Sequence, residues 1–417
     1  MASTFTTMAA ALKTRFYLDK NTIPDLTYEE SPAYALIPKS EDWGGNSAEF
    51  PIIIGQNQSH SATFTNAQTN AGTLTMKRWS LPSSGNKKHY TIAQIPGDLI
   101  RAMEGNPNAY FPAVEAEVES AMKTSARRLS IDLFNDGYGH VGVIAAGGIS
   151  GSTATLSIAE DAKKFEPGMV CVLSATNNAN TLRNAGATIT VQSVDEDAGT
   201  VTFTAGIVAS IAAAAAGDFI FPQGDRQDSA TPSRLRMAGF EAWVPYDRTT
   251  LTGTFFNIDR TQMPTRLGGS YLDGTQKSLR EGIQDMVSLL AGRKAKPKYA
   301  FLSFSKWNEL AKEMGSAVQY VDIKAGEQGV VGFTGIRVNG PKGTVEVLPD
   351  QACPPNRCFV IQPDTWLLLS LGRTVGFLDE DDNRMLRQGA ADSYEVRIGG
   401  YVDLLCKAPG FNGVINI

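Results

Sequence analysis

Residues 59–79, SHSATFTNAQTNAGTLTMKRW, describe a two-stranded ribbon with no core of its own. Thr63, Thr65, Thr69, Thr73 and Thr75 give the stretch β-propensity, and Asn70, Ala71 and Gly72 stand where a turn would fall. Its only large apolar residues are Phe64, Leu74, Met76 and Trp79, too few to bury either face. A lone hairpin of this kind is marginal in water. Whatever fold the chain adopts must therefore supply this arm with a surface from elsewhere.

The remainder of the chain can bury a core. Of its 417 residues 42% are hydrophobic and 19% charged, a balance that excludes a disordered chain and allows roughly three units of ordinary size. The net charge of -5 is mild and the lysines and arginines are scattered, so a dedicated duplex-binding face is not expected. Cys171, Cys353, Cys358 and Cys406 contain no Cys-x-x-Cys pair, and with three histidines in all a zinc site is not expected; reduced thiols in a cytoplasm fit. MASTFTTMAAALKTRF has no basic region ahead of its weakly apolar stretch, and the Ala-rich run from Ile207 to Ala216 is too short to span a bilayer. Neither a targeting signal nor a membrane segment is expected.

In chain order, residues 1–48 form an extended lead punctuated by Pro24, Pro32 and Pro38, with a helical turn or two around Met8 to Lys13. After the arm a strand, His89 to Pro96, runs into a short helix from Gly97 to Glu104. The strongest helical signal follows. Val114, Val118, Ala121, Met122, Ala126, Leu129, Leu133 and Phe134 recur at three- and four-residue steps, so Val114, Val118, Leu129 and Leu133 are expected in a core. Glutamates crowd the first half and arginines the second, which suits the helix dipole. From Tyr110 to Phe134 the helix would be about 37 Å long, and Gly137 stops it.

Near Val141 the texture changes. TATLSI, GMVCVLSA, ATITVQSV, GTVTFTAGI and DFIFP are short β-runs separated by turns, which predicts a five-stranded barrel or sandwich inserted at 141–222. Residues 223–270, with MAGFEAWVP and FFNIDRTQMPTRLGG, read as strand and loop. An amphipathic helix over Thr275 to Gly292 (Leu279, Ile283, Met286, Leu290) precedes a buried strand YAFLSF and a helix opening at Ser305. Strands around GIRVNG, GTVEVLP and CFVIQ complete an α+β unit, and the tail SYEVRIGGYVDLLCKAPGFNGVINI is strand again.

Motifs of chemistry are weak. Asp379, Asp381 and Asn383 open like a calcium loop, but Arg384 replaces the required glycine and Ala390 the bidentate glutamate, which leaves a solvated acidic turn. Ser120 and Lys123 form a Ser-x-x-Lys pair on the exposed side of the long helix without its companion motifs. Asn57-Gln58-Ser59 is a glycosylation sequon with no secretory context. No phosphate loop is present, and no histidine stands beside a serine or cysteine nucleophile; His60, His89 and His140 read as arm and loop residues. Neither a catalytic site, a metal nor a cofactor is expected.

The order of elements resembles the major capsid protein of tailed bacteriophages, with the Hong Kong 97 type fold. The likeness is carried by SATFTNAQTNAGTLTMKRW followed by AYFPAVEAEVESAMKTSARRLSIDLFNDG, by GFEAWVP with FFNIDRTQMPTRLGG, by LREGIQDMVSLLAGRKAKPKYAFLSFSKWNEL and by YEVRIGGYVDLLCKAPGFNGVINI. It covers everything outside the inserted barrel and rests on order and joint occurrence, because such proteins share architecture more than letters.

The resemblance implies an α+β fold with an N-terminal arm (1–48), an extended β arm (49–96), and a peripheral domain made of the spine helix (97–140), residues 223–270 and a return strand (372–417). An axial domain (271–371) and the inserted all-β domain (141–222) complete it. Function follows as a virion protein, assembled in the host cytoplasm, that builds an icosahedral shell from pentamers and hexamers of itself. The arm would lie on a neighbouring subunit through Phe64, Leu74, Met76 and Trp79. Further implied partners are scaffolding, portal and decoration proteins, and packaged double-stranded DNA met without sequence preference; no membrane is implied. Too few residues precede the arm for a long scaffolding segment, which points to a separate scaffolding protein or none. Lys77, Lys87 and Lys88 are the only lysines near the arm, and no asparagine or glutamate can be assigned to join them to a neighbour, so isopeptide crosslinking is not expected. For the inserted domain a bracing role is expected, with a host glycan or a decoration protein as the sharper reading. A bacterial nanocompartment shell of the same fold is the alternative, and a monomeric hydrolase or sugar-binding protein a third.

Overall fold

The computed structural model describes residues 31–41, 43–44, 47–82, 87–97, 107–178, 181–226, 234–315, 320–324, 332–378, 384–389 and 392–417. The helical turns expected near Met8 to Lys13, nearly all of the helix expected at Gly97 to Glu104, the acidic turn at 379–383 and the side chain of Val114 lie outside the described residues.

The long helix runs from Pro107 to Phe134. Val118, Leu129 and Leu133 are buried on it, whereas Ser120 and Lys123 face solvent and Lys123 pairs with Glu119 one turn away, 2.8 Å. Gly137, at φ +85°, turns the chain out of the helix. The buried end of the helix meets both sheets of the body: Phe134 lies 5.3 Å from Phe240, which stands edge-on to Trp366 at 4.8 Å.

One sheet has six strands and is organised by the strand Ser393–Cys406. Its first part pairs antiparallel with Lys88–Pro96 and its last with Trp366–Ser370. The other sheet has seven strands in the order 270–273, 413–416, 357–361, 299–302, 343–349, 332–340 and 320–324. Its central strand, Tyr299–Leu302, is buried throughout, as a strand covered on both faces must be. Helices Leu279–Gly292 and Phe304–Met314 pack on this sheet through Ile283, Met286, Leu290 and Leu310. Ser278 and Ser303 cap them by accepting hydrogen bonds from the backbone N–H of Glu281 and Lys306.

Residues 142–222 close into a barrel of six strands with its own core around Leu156, Phe165, Leu173, Val191, Val201, Phe203 and Ile220. Five strands were expected. The sixth, Gly142–Ser150, is hidden because VIAAGGIS lacks alternation, and a bulge between Ile144 and Ile149 with Gly147 at φ +69° breaks its register. GFEAWVP is also not the strand it suggests. Phe240–Trp243 is one helical turn whose entry passes so close to the end of the long helix that a Cβ on Gly239 would stand 2.3 Å from the Asp132 carbonyl oxygen.

Candidate functional site

The arm departs from its expected form. Its two strands are Ser47–Gly55 and Thr75–Pro82, paired antiparallel from Ser47 opposite Pro82 to Gly55 opposite Thr75. Between them the chain loops through a short helix, Phe64–Thr69, so Asn70 ends a helical turn where a hairpin turn was expected. The first strand is masked in the sequence by Pro51. A proline is tolerated because among the described residues its strand pairs with one neighbour only.

Alternation along Thr75–Pro82 divides the arm's residues between two destinations. Trp79 and Leu81 point inward and are both fully buried, whereas Met76 and Arg78 point outward. Met76 and Trp79 are three residues apart and cannot share a face. Trp79, expected as an intersubunit contact, has no exposed surface in this chain. It stands edge-on to Trp243 at 5.0 Å and to Phe255 at 6.2 Å, inside the chain's own core. The base of the arm is anchored besides by the Ser80 N–H donating to Phe256 O (3.1 Å), by Arg266 Nη1 donating to Ile54 O (2.5 Å) and by Lys77 Nζ donating to Gln262 Oε1 (2.7 Å).

Beyond this base nothing is buried from residue 56 to 76. Phe64 is 82% exposed, Leu74 47% and Met76 55%. Ile53, which the sequence reading passed over, is 55% exposed and sits directly opposite Met76 in the ladder, where cross-strand side chains touch. The tip holds its shape by local polar bonds alone: Gln58 N–H to Thr73 Oγ1 at 2.7 Å, and Thr73 Oγ1 to Asn57 Oδ1 at 3.2 Å. Such exposed bonds contribute little against water.

Of the lysines near the arm, Lys77 is engaged with Gln262. Lys87 is buried, donates to Arg234 O and is pushed by burial down to about 8. Lys88 is exposed, its ammonium 5.9 Å from the Tyr401 ring.

A second polar constellation lies where the barrel joins the body. Arg236 reaches Asp225 at 3.0 Å and Asp132 at 3.7 Å. Asp403 accepts from the N–H groups of Ala238 and Leu404, and Arg234 stacks on Tyr138 at 4.6 Å. Burial pushes Asp132 up to about 6 although Arg236 opposes it. Burial works against both charges of the Asp136–His140 pair, but each partner's charge prevails, so Asp136 is held down at about 2 and His140 is raised. His89, buried beside Arg236, is driven down to about 4 by burial first and by that cation second. Paired in this way, the charges fasten the barrel's exit to the end of the long helix and to the six-stranded sheet. They expose no nucleophile. All four cysteines are buried and free, and burial pushes Cys171 and Cys358 up to about 12. Among the described residues no group of three His, Cys, Asp or Glu could hold a metal, and no helix is long and apolar enough to cross a membrane.

Solved structures share this architecture. A capsid subunit of cyanophage A-1(L) superposes with a TM-score of 0.50 at 14% identity, covering 93% of this chain and 92% of that one. The fold is of the Hong Kong 97 type. The SrpI encapsulin of Synechococcus elongatus PCC 7942 (TM-score 0.44, 7% identity, 92% of this chain and 85% of that one) and the capsid of an empty GTA particle (0.41, 10%, 93% and 96%) lie further off. Neither a family model nor a curated protein matches the sequence.

Proposed function

We propose that this chain is the major capsid protein of a tailed bacteriophage, a structural protein that assembles with copies of itself into an icosahedral shell around double-stranded DNA. The observation that carries the reading is the arm: Ile53, Phe64, Leu74 and Met76 lie outside any core, on a segment whose base is firmly seated. Surface of this kind is covered when a second molecule arrives. Burial on a neighbour orders the tip, so folding of the arm is coupled to assembly. In this reading residues 49–96 carry the intersubunit arm together with the strand Lys88–Pro96 that returns it to the six-stranded sheet, 97–140, 223–270 and 372–417 form the peripheral domain, and 271–371 the axial domain around five- and six-fold axes. The inserted barrel at 141–222 braces the shell. The mild net charge of -5 suits DNA that is enclosed without being gripped.

Expression of the chain, alone and together with phage scaffolding and portal proteins, followed by sedimentation and negative-stain imaging, tests the proposal. Closed megadalton shells that fill with nucleic acid support it. A monodisperse particle of 44.8 kDa under every condition refutes it. Shells filled with a protein cargo and no DNA make the chain a nanocompartment instead.

A further inference from the structure

Two arginines meet at the backbone that leads into the seven-stranded sheet. Arg248 donates from Nη1 to Gly268 O and from Nη2 to Gly269 O, both at 3.0 Å. Arg293 donates to Ser270 Oγ. The two guanidinium groups therefore converge on residues 268–270, where the seven-stranded sheet begins. Neither makes an ion pair among the described residues. The nearest acids in sequence are engaged elsewhere: Asp247 accepts from the Thr249 N–H, Glu241 pairs with Arg357 and Asp285 with Lys277. Burial lowers Arg248, and Arg293 lowers it further. Carbonyl oxygens meet the hydrogen-bonding geometry of these cations but leave their charge uncompensated, a condition that a carboxylate from a partner corrects.

The same chain displays the complementary group. Asp195, Glu196 and Asp197 form a run of three carboxylates on the turn between barrel strands 188–195 and 200–203. All three are exposed, none is in an ion pair, and Asp195 Oδ1 accepts only from the N–H groups of Asp197 and Ala198 within its own turn.

We propose that Arg248 and Arg293 are the seat for the acidic turn Asp195–Asp197 of a second copy of this chain, so that the inserted barrel of one subunit locks onto the edge of the seven-stranded sheet of the next. The inference rests on the shell reading and gives the barrel's bracing role a chemical form. Contact of this kind is electrostatic and weakens as salt rises.

The test reverses the charges on each side. The triple variant Asp195→Lys, Glu196→Lys, Asp197→Lys changes only an exposed turn. It is expected to raise the subunit concentration needed for assembly about tenfold at low salt, with the difference closing near about 0.5 M salt. Adding Arg248→Glu and Arg293→Glu to that triple variant is expected to restore assembly. Thermal melting of unassembled subunits checks that each variant folds, and Arg293→Gln alone serves where the glutamate pair does not. Assembly of the triple variant at the wild-type concentration overturns the proposal, as does a loss that reversing the arginines leaves unrepaired. Binding of a short DNA duplex to wild-type subunits, lost in Arg293→Gln and kept in the triple variant, overturns it in favour of a phosphate seat. Wild-type chains that form no shell at all overturn the capsid reading, and this inference falls with it.

Discussion

Trp79 and Met76 stand on one strand, three residues apart, and their replacement must fail in opposite ways. Trp79 is fully buried between Trp243 and Phe255. Truncation of such a residue to alanine removes a large apolar volume that the surrounding rings cannot refill, and costs about 3 to 5 kcal/mol of subunit stability. Met76 is 55% exposed, so Met76→Ser leaves the isolated subunit within about 0.5 kcal/mol of wild type. Its cost appears on assembly, where covering the exposed half of a methionine is worth about 1 kcal/mol for each subunit. Urea denaturation of unassembled subunits reads the first quantity and the critical concentration for shell formation the second. The reasoning is refuted by a Trp79→Ala subunit as stable as wild type that nonetheless fails to assemble, because Trp79 would then belong to a neighbour.

Acid should expose His89. Its folded-state value of about 4 lies below the ordinary 6.5, so the neutral ring contributes stability that is complete above pH 6.5 and is lost as the pH falls towards 4, about 3 kcal/mol in all. Asp132, raised to about 6, acts in the opposite sense over the same range, so the effect is read as the pH dependence of wild type minus that of His89→Gln. Arg357 pairs with Glu241 and lies 3.6 Å above the Tyr246 ring; Arg357→Ala leaves a buried carboxylate alone and is expected to cost about 3 to 5 kcal/mol by urea titration. Gly142 and Ile220 are paired neighbours, so residues 143–220 can be replaced by a short glycine linker. Subunits lacking the barrel are expected to fold but to give fragile or malformed shells by electron microscopy, and full-sized shells of normal stability contradict bracing.

Much of this fold is legible without coordinates. The long helix announces itself because eight apolar residues keep a three- and four-residue step over its length, and the barrel because its Val, Ile, Phe and Thr alternate between turn residues. Two further helices show as apolar stripes, although they begin after Ser278 and Ser303 and not at the expected Thr275 and Ser305. What the sequence conceals is pairing. The arm's true partner strand, Ser47–Gly55, is disguised by Pro51, while TFTNAQTNAG carries residues that suit a helix end as well as a hairpin turn. At the candidate site, four apolar letters in the arm look alike. Only the alternation joining Trp79 to Leu81 separates the inward pair from Met76, and Ile53 emerges only once the register sets it opposite Met76. The arginine seat is invisible because Arg248 and Arg293 are distant in sequence and meet through the backbone of residues 268–270.

Amide exchange across the arm addresses the central claim most directly. Residues 56–74 are expected to exchange within seconds in dilute subunits, while Trp79 and Leu81 at the arm's base are protected, and to slow by orders of magnitude once shells close. Protection of 56–74 in a lone subunit equal to that of the strand Tyr299–Leu302 would contradict the account, for the arm would then need no neighbour.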